Sequence, residues 1–331
     1  MISKSALKPA FVFCLIMIFS ASLTHAAQIY YARELNTEQY RKLDRNKTVV
    51  LLSTGIMEEH GPYIPAYTDG YITERVIRDV AEGVVRKGWN VLVFPIIPLG
   101  TDALNEVPAK YPFPGSFVVR AYTFRAMFMD LASNIGDAGF RWIFVGNDHG
   151  APTHNRMLEQ VCAYFNERHS GGRMTVLGAM GGSPVSTPET SKLDQEAQAL
   201  ISKEAWKEEG GGGHADIEET SIMLFLHPHL VDAGYVNAPP NTWGMMTTDK
   251  WLGYLGSPRH STPQYGALKM KIRSEKAIQQ VLSVLDGTAP PSQRITPTDL
   301  DKIDKPHRDI LDHDEQIRRN QQEWLDKNGL K

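Results

Sequence analysis

The run Thr48 to Ile56 is apolar, rich in β-branched side chains and only nine residues long, which fits a buried strand. Charged residues follow it closely: Glu58, Glu59 and His60, then Gly61-Pro62, then Tyr67-Thr68-Asp69-Gly70. In an open α/β sheet the carboxyl ends of the strands border the crevice where ligands bind. Glu58, His60 and Asp69 are therefore three potential metal ligands at or just beyond such an end. By spacing alone they fit either a metal site or a solvated loop, because isolated Glu-x-His triplets are common.

The rest of the chain sets this strand in a repeating alternation. Ile72 to Val85 carries apolar residues at helical spacing (Ile72, Val76, Ile77, Val80, Ala81, Val84) and predicts a helix packed on a sheet. Further strands are predicted at Asn90 to Ile97, Trp142 to Val145 and Met174 to Leu177, with helices at Phe124 to Ile135 and Arg156 to Phe165. This order predicts an α/β fold: a doubly wound, mostly parallel sheet with helices on both faces, in a single domain over 27–290. Residues 27–47 read as a lead-in with a short helix at Thr37 to Leu43. Four glycines at 210–213 break the pattern before His214. Ile217 to Phe225 then predicts a helix whose acidic first turn suits the positive end of the helix dipole. Residues 234–264, rich in Gly, Pro, Asn and Thr, predict an irregular excursion over the surface, and Ala267 to Leu285 a last strong helix. Beyond Pro290 the chain turns polar; 291–331 reads as an extension with loosely attached helices at Thr298 to Ile303 and Glu315 to Leu325.

Composition narrows the function classes. A chain of 331 residues with 42% hydrophobic residues, 22% charged residues and a formal charge of −3 is an ordinary globular protein. It has no basic field for nucleic acid and no charge run suited to an anionic membrane. Lys4 and Lys8 precede an apolar stretch at 10–21, and Thr24-His25-Ala26 offers a small-residue cleavage site. Residues 1–26 thus predict a signal peptide, an exported (periplasmic or secreted) mature chain from Ala27, and no stable membrane association after cleavage. The other reading is an uncleaved anchor, for which the apolar run falls short of a full span. Cleavage would remove Lys4 and Lys8, taking the charge from −3 to −5, and would remove Cys14. Cys162 would then stand alone, with no intramolecular disulfide possible; its apolar neighbours Val161, Tyr164 and Phe165 predict a packed thiol.

Four stretches bring ionisable or tight-turn residues to strand ends. They are Glu58, His60 and Asp69; Pro98 to Asp102 with Phe113-Pro114-Gly115-Ser116; Gly146 to Gly150, which holds His149; and His214 to Ser221, which holds Glu219. Side by side in a parallel sheet, they can converge despite their separation in sequence. Imidazoles with carboxylates suit Zn²⁺ or Mn²⁺ better than Ca²⁺ or Mg²⁺, which prefer oxygen shells. A carboxylate-bridged pair of such ions lowers the pKa of a shared water and polarises a carbonyl, the machinery of amide or lactam hydrolysis.

Taken together and in order, these motifs resemble the creatininase family of metal-dependent amidohydrolases. Its pattern is similar to Glu58-x-His60-Gly61-Pro62 with Pro65 and Thr68-Asp69, the Phe-Pro-Gly-Ser turn at 113–116, Asn147-x-His149-Gly150 and His214-Ala215-x-x-x-Glu219-Thr220-Ser221. Gly253-x-x-Gly256-x-Pro258, with Gly266 after it, looks like the family's closing motif; the likeness runs from about residue 48 to 285. The resemblance implies a hexameric α/β homo-oligomer with a two-metal centre acting on a small-molecule substrate. Glu58 and His149 would hold one ion and His60 the other, with Asp69 bridging. His214 and Glu219 would be the acid/base residues near the substrate. His214 also fits a plain turn residue beside the glycine run.

The chain departs from the pattern in places. Creatininase itself carries a ligand Glu where this chain has Ala151, which leaves the second ion short of a carboxylate unless Asp148, His154 or Glu219 supplies the place. The segment 150–155 also looks two residues longer than the family's turn, and Trp206 and Trp243 do not fall where creatininase's pocket tryptophans lie. Creatinine is thus a poor fit, and the expected activity is hydrolysis of a C–N bond in a cyclic amide, formamide or small amide. Ring opening of an oxidised sugar or cyclitol is a second enzymatic reading. A non-catalytic metal- or ligand-binding protein on the same fold is the rival from another class.

Overall fold

All six residues of strand β2 (Thr48–Ser53) are buried, as they must be in a parallel sheet covered on both faces. Its alternate side chains enter two different cores. Val50 and Leu52 pack among Phe124, Phe128, Met157, Val161 and Phe165 on one face. Val49 and Leu51 pack among Ile77, Val80, Val84 and Val281 on the other. Each such side chain, fully buried, contributes about 1.5–3 kcal/mol of hydrophobic stabilisation. The computed structural model describes residues 26–177, 186–289 and 305–330. Residues 1–25 of the expected signal peptide (1–26) and the helix expected at 298–303 lie outside them.

Around β2 stand β1 (Ile29–Tyr31), β3 (Asn90–Val93), β4 (Trp142–Gly146) and β5 (Arg173–Leu177), in the order β1-β3-β2-β4-β5. Every pairing is parallel. Helices α2 (Thr68–Val85) and α8 (Pro263–Leu285) cover one face; α3 (Ala121–Asp137) and α4 (Pro152–Arg168) cover the other. The chain leaves β2 towards β3 on one side and reaches β4 on the other, so the strand order reverses between β2 and β4. That reversal is where an open sheet parts to admit a ligand.

The expected alternation is present, with shifted boundaries. β3 stops at Val93 rather than Ile97, because Pro95 cannot donate to the ladder. α2 begins at Thr68 rather than Ile72, which puts Asp69 in a helix's first turn. α4 begins at Pro152, where the missing N–H costs nothing. β1, α5 (Pro188–Gln198) and α6 (Lys203–Glu209) were not expected, while α1 (Thr37–Lys42) and α7 (Ile217–Leu226) were.

Two expectations are corrected. Residues 234–264 do not simply run over the surface: Met246, Trp251, Tyr254 and Leu255 are buried, and the segment forms a covering layer with short 3-10 turns. Its few anchors have no period, so its composition alone reads as a loop. Residues 305–327 form one helix, α9, and it is docked: Ile310 is 1% exposed and Asp314 6%.

Helices α7 and α8 meet backbone to backbone at Gly266, where an added Cβ would fall 1.9 Å from the Ser221 carbonyl oxygen. Gly266→Ala must push α7 away from α8, and overpacking of this kind costs about 1–3 kcal/mol or more. Urea unfolding should show a loss of at least about 2 kcal/mol; an unchanged midpoint would mean that the two helices are not in such close contact.

Candidate metal centre

The six candidate residues converge at the reversal between β2 and β4. Glu58, His60, Asp69, His149, His214 and Glu219 are each no more than 6% exposed. Three groups of ligand atoms form there: Glu58 with Asp69 and His149, His60 with Asp69 and Glu219, and Glu58 with His60 and His214.

Each imidazole is anchored through its far nitrogen. His60 Nδ1 lies 2.9 Å from the Glu58 carbonyl, His149 Nε2 3.0 Å from the Asp102 carbonyl, and His214 Nε2 2.6 Å from the Glu59 carbonyl. A carbonyl only accepts, so each of these nitrogens carries a proton, and the opposite nitrogen is the one left to meet a cation or a second proton. Those opposite nitrogens point at carboxylates. His149 Nδ1 is 2.9 Å from Glu58 Oε2 and 3.3 Å from Asp69 Oδ2. His60 Nε2 is 3.6 Å from Asp69 Oδ1 and 3.5 Å from Glu219 Oε2. His214 Nδ1 is 4.0 Å from Glu58 Oε1.

Lone pairs facing anions repel unless positive charge lies between them. Glu58 Oε2, His60 Nε2 and Asp69 Oδ2 are buried and make no hydrogen bond. Burial disfavours a charged His60, yet Asp69, Glu219 and Glu58 outweigh it and hold its pKa well above the ordinary value. The same contest, with Glu58 and Asp69 prevailing, raises His149. Asp69 is held well below the usual carboxylate range, its own burial being outweighed by His60 and His149. His214 differs: burial pushes it down to about 4. The donor set of buried carboxylates and inward imidazole lone pairs therefore fits divalent cations of the Zn²⁺ or Mn²⁺ type.

The three residues proposed to stand in at Ala151 separate cleanly. Glu219 lies in the cluster, and its Oε2 also accepts the Ala215 N–H at 2.6 Å. Asp148 turns to the guanidinium of Arg273, which also holds Glu218 at 2.7 Å. His154 is fully buried beside Phe124, its Nδ1 accepting the Thr101 N–H at 3.4 Å, and belongs to none of the three groups. Glu59 joins the site without being singled out by the motif. Its Oε1 is buried, unpaired and 3.8 Å from His214 Nε2, and burial with the Glu58 charge pushes its pKa up to about 8. Its place inside the Glu58–Pro62 block was the available signal. Asp102 reads in the sequence only as part of a turn, yet its carbonyl orients His149.

A parallel sheet with a carboxylate–imidazole cluster at its reversal point is the arrangement of a metal-binding α/β protein. The creatininase family model (creatinine amidohydrolase) matches residues 33–281, and the chain belongs to the creatininase family, whose members are amidohydrolases. Among relatives of described function, it is 23% identical over 249 residues to the mycofactocin precursor peptide peptidase of Mycobacterium ulcerans (strain Agy99), covering 70% of this chain and 84% of that protein. Two solved structures share the fold. One, described as creatininase with Mn, has a TM-score of 0.60 at 21% identity, over 78% of this chain and 99% of its own. The other, a creatinine amidohydrolase, has a TM-score of 0.59 at 21% identity, over 79% of this chain and 98% of its own.

The loop that carries His214 is clasped from behind by Glu209, at the end of α6. Glu209 Oε1 accepts the Ile217 N–H at 3.2 Å and Oε2 the Ser257 N–H at 2.6 Å. Only glycine fits opposite it, because a Cβ at Gly256 would lie 2.5 Å from Oε2. Burial, then the Asp216 charge, pushes Glu209 up to about 8 from its ordinary 4.5. Below 4.5 the folded and unfolded chains both hold this proton. Between 4.5 and 8 only the folded chain does, so this contribution to stability is lost as pH rises through that window. Urea titrations from pH 5 to 9 should therefore show a flatter pH dependence for Glu209→Gln than for the wild type; parallel curves would show that Glu209 ionises normally.

Proposed function

We propose that the cluster holds two divalent ions, Zn²⁺ or Mn²⁺, and that the exported chain hydrolyses a C–N bond in a cyclic amide, formamide or small amide. The observation that carries this is Asp69: its two carboxylate oxygens face different imidazoles, Oδ1 towards His60 and Oδ2 towards His149. A carboxylate so placed suits a bridge. Glu58 and His149 would complete one ion's ligands; His60 and Glu219 would complete the other's. Glu219 thus takes the place that Ala151 leaves open, and is a ligand rather than the acid/base partner expected from the motif.

Bound there, such ions supply a water of lowered pKa and polarise the substrate carbonyl. The chain's own residues manage protons and position. His214, pushed down to about 4, is neutral at working pH, and its Nδ1 lone pair faces the cluster beside Glu58. It can take a proton from the attacking water and return it to the nitrogen as the C–N bond breaks. The Glu59 carbonyl holds His214 Nε2–H, which fixes the tautomer for that transfer. Export rests on the Lys4, Lys8 and Thr24-His25-Ala26 pattern, and assembly as a hexamer on the motif resemblance.

A short peptide is a second substrate reading, favoured by the described activity of the Mycobacterium ulcerans relative. A panel of cyclic amides, formamides and dipeptides separates the two. Asp69→Ala should lose both ions, whereas His214→Ala should keep both and lose turnover by about 10²–10⁴-fold, the usual worth of a general acid/base. Equal metal loss in the two variants, or a doubly loaded wild type inert towards every amide, would overturn the assignment.

A further inference from the structure

Helix α9 lies beyond the residues that the family model matches. The family match stops at residue 281, and the two creatininase structures are covered to 98–99% of their own length by only 78–79% of this chain. Yet α9 is packed against the segment that orients two of the proposed ligands. Within that segment, the Asp102 carbonyl accepts from His149 Nε2 at 3.0 Å, and the Leu104 N–H donates to Glu58 Oε1 at 2.5 Å. Glu58 and His149 belong to the same proposed ion, the one they share with Asp69.

The segment is irregular. Asp102 holds φ at +67°, a left-handed conformation that Asp adopts more readily than most residues with a Cβ. Its side chain is committed: Oδ2 accepts the Thr153 N–H at 2.7 Å, at the start of α4. Three residues of α9 bear on the same region. His307 Nε2 lies 3.8 Å from Asp102 Oδ2. The His313 ring stacks on Tyr111 at 3.9 Å between centroids. Asp314 Oδ2 accepts the Ala121 N–H at 2.6 Å, so an acceptor from 193 residues away caps α3, whose own N-cap residue Arg120 provides none. Ile310, 1% exposed, seats the helix between them.

We propose that α9 is a clamp on the Asp102–Leu104 segment, with His307 and Asp314 as positioning residues that set how firmly the ion of Glu58, Asp69 and His149 is retained. The inference rests on the two-ion reading of the site. It assigns α9 to one ion and not the other, because His60 and Glu219 are held from elsewhere: His60 by the Glu58 carbonyl, Glu219 by the Ala215 N–H.

The test is chelator-driven release of metal from the full-length, fully loaded protein, followed as two kinetic phases, with the melting temperature measured alongside. His307→Ala and Asp314→Ala should each speed one phase by about tenfold, the low end of the effect of losing a ligand's hydrogen-bond partner, because both act one step further out through the segment that holds His149 and Glu58, and leave the other phase unchanged. Asp314→Asn keeps the acceptor for Ala121 N–H and should restore slow release. Trp324→Ala, on the same helix at a residue 59% exposed, should release like the wild type. Should Asp314→Ala fail to fold, His307→Ala carries the same readout. Unchanged release in His307→Ala, acceleration of both phases together, or an equal effect from Trp324→Ala would overturn the clamp. A wild type that never loads two ions would instead overturn the site reading beneath it.

Discussion

Three backbone carbonyls, those of Glu58, Glu59 and Asp102, decide how this molecule's site is built. Each takes the N–H of one imidazole (His60, His214 and His149 in turn) and so turns the opposite lone pair inward onto carboxylates. Two of the carbonyls belong to the block that follows β2 and the third to the segment after β3, so the sheet's carboxyl edge itself sets the tautomers. Carboxylates and lone pairs packed together under burial are unfavourable without positive charge. The fold therefore concentrates a demand for cations at one point.

Holding that point together falls to the layer behind it. Arg273, on α8, reaches Asp148 beside His149 and Glu218 beside Glu219, and so ties the β4 loop to the start of α7. A buried cation with two carboxylates is weak evidence for stability, because desolvation offsets much of the attraction. Its value here is positional: it fixes the distance between two proposed ligands on different elements. Glu209 does similar service for the His214 loop, where Gly210, Gly211, Gly212 and Gly213 all hold positive φ. A run of four such residues needs glycine, which explains a stretch that composition alone would pass over as a flexible break.

Much of this was legible in the sequence. The apolar run at 48–56 and the strand–helix alternation place the sheet, and the division of the β2 side chains between two cores follows directly from it. The ligand candidates Glu58, His60, Asp69, His149, His214 and Glu219 all reach one cluster because each follows a strand or opens a helix at the same edge. What the sequence hid was contact between distant segments. β1 spans only three residues, too short for any period. The 234–264 layer is anchored by scattered aromatics, and α9 by Ile310 and Asp314 within an otherwise polar stretch. Roles were harder than positions. Glu219 reads as an acid/base residue from its motif, and only its 3.5 Å approach to His60 suggests a ligand that makes good the loss at Ala151.

The central claim is that one carboxylate, Asp69, serves two ions. Anomalous scattering from crystals of the full-length protein grown with Mn²⁺ or Zn²⁺ tests it directly. Two peaks are expected, one at each Asp69 oxygen, the first flanked by Glu58 and His149 and the second by His60 and Glu219. A single peak, or a second ion held by His214 with Glu219 turned away, would contradict it.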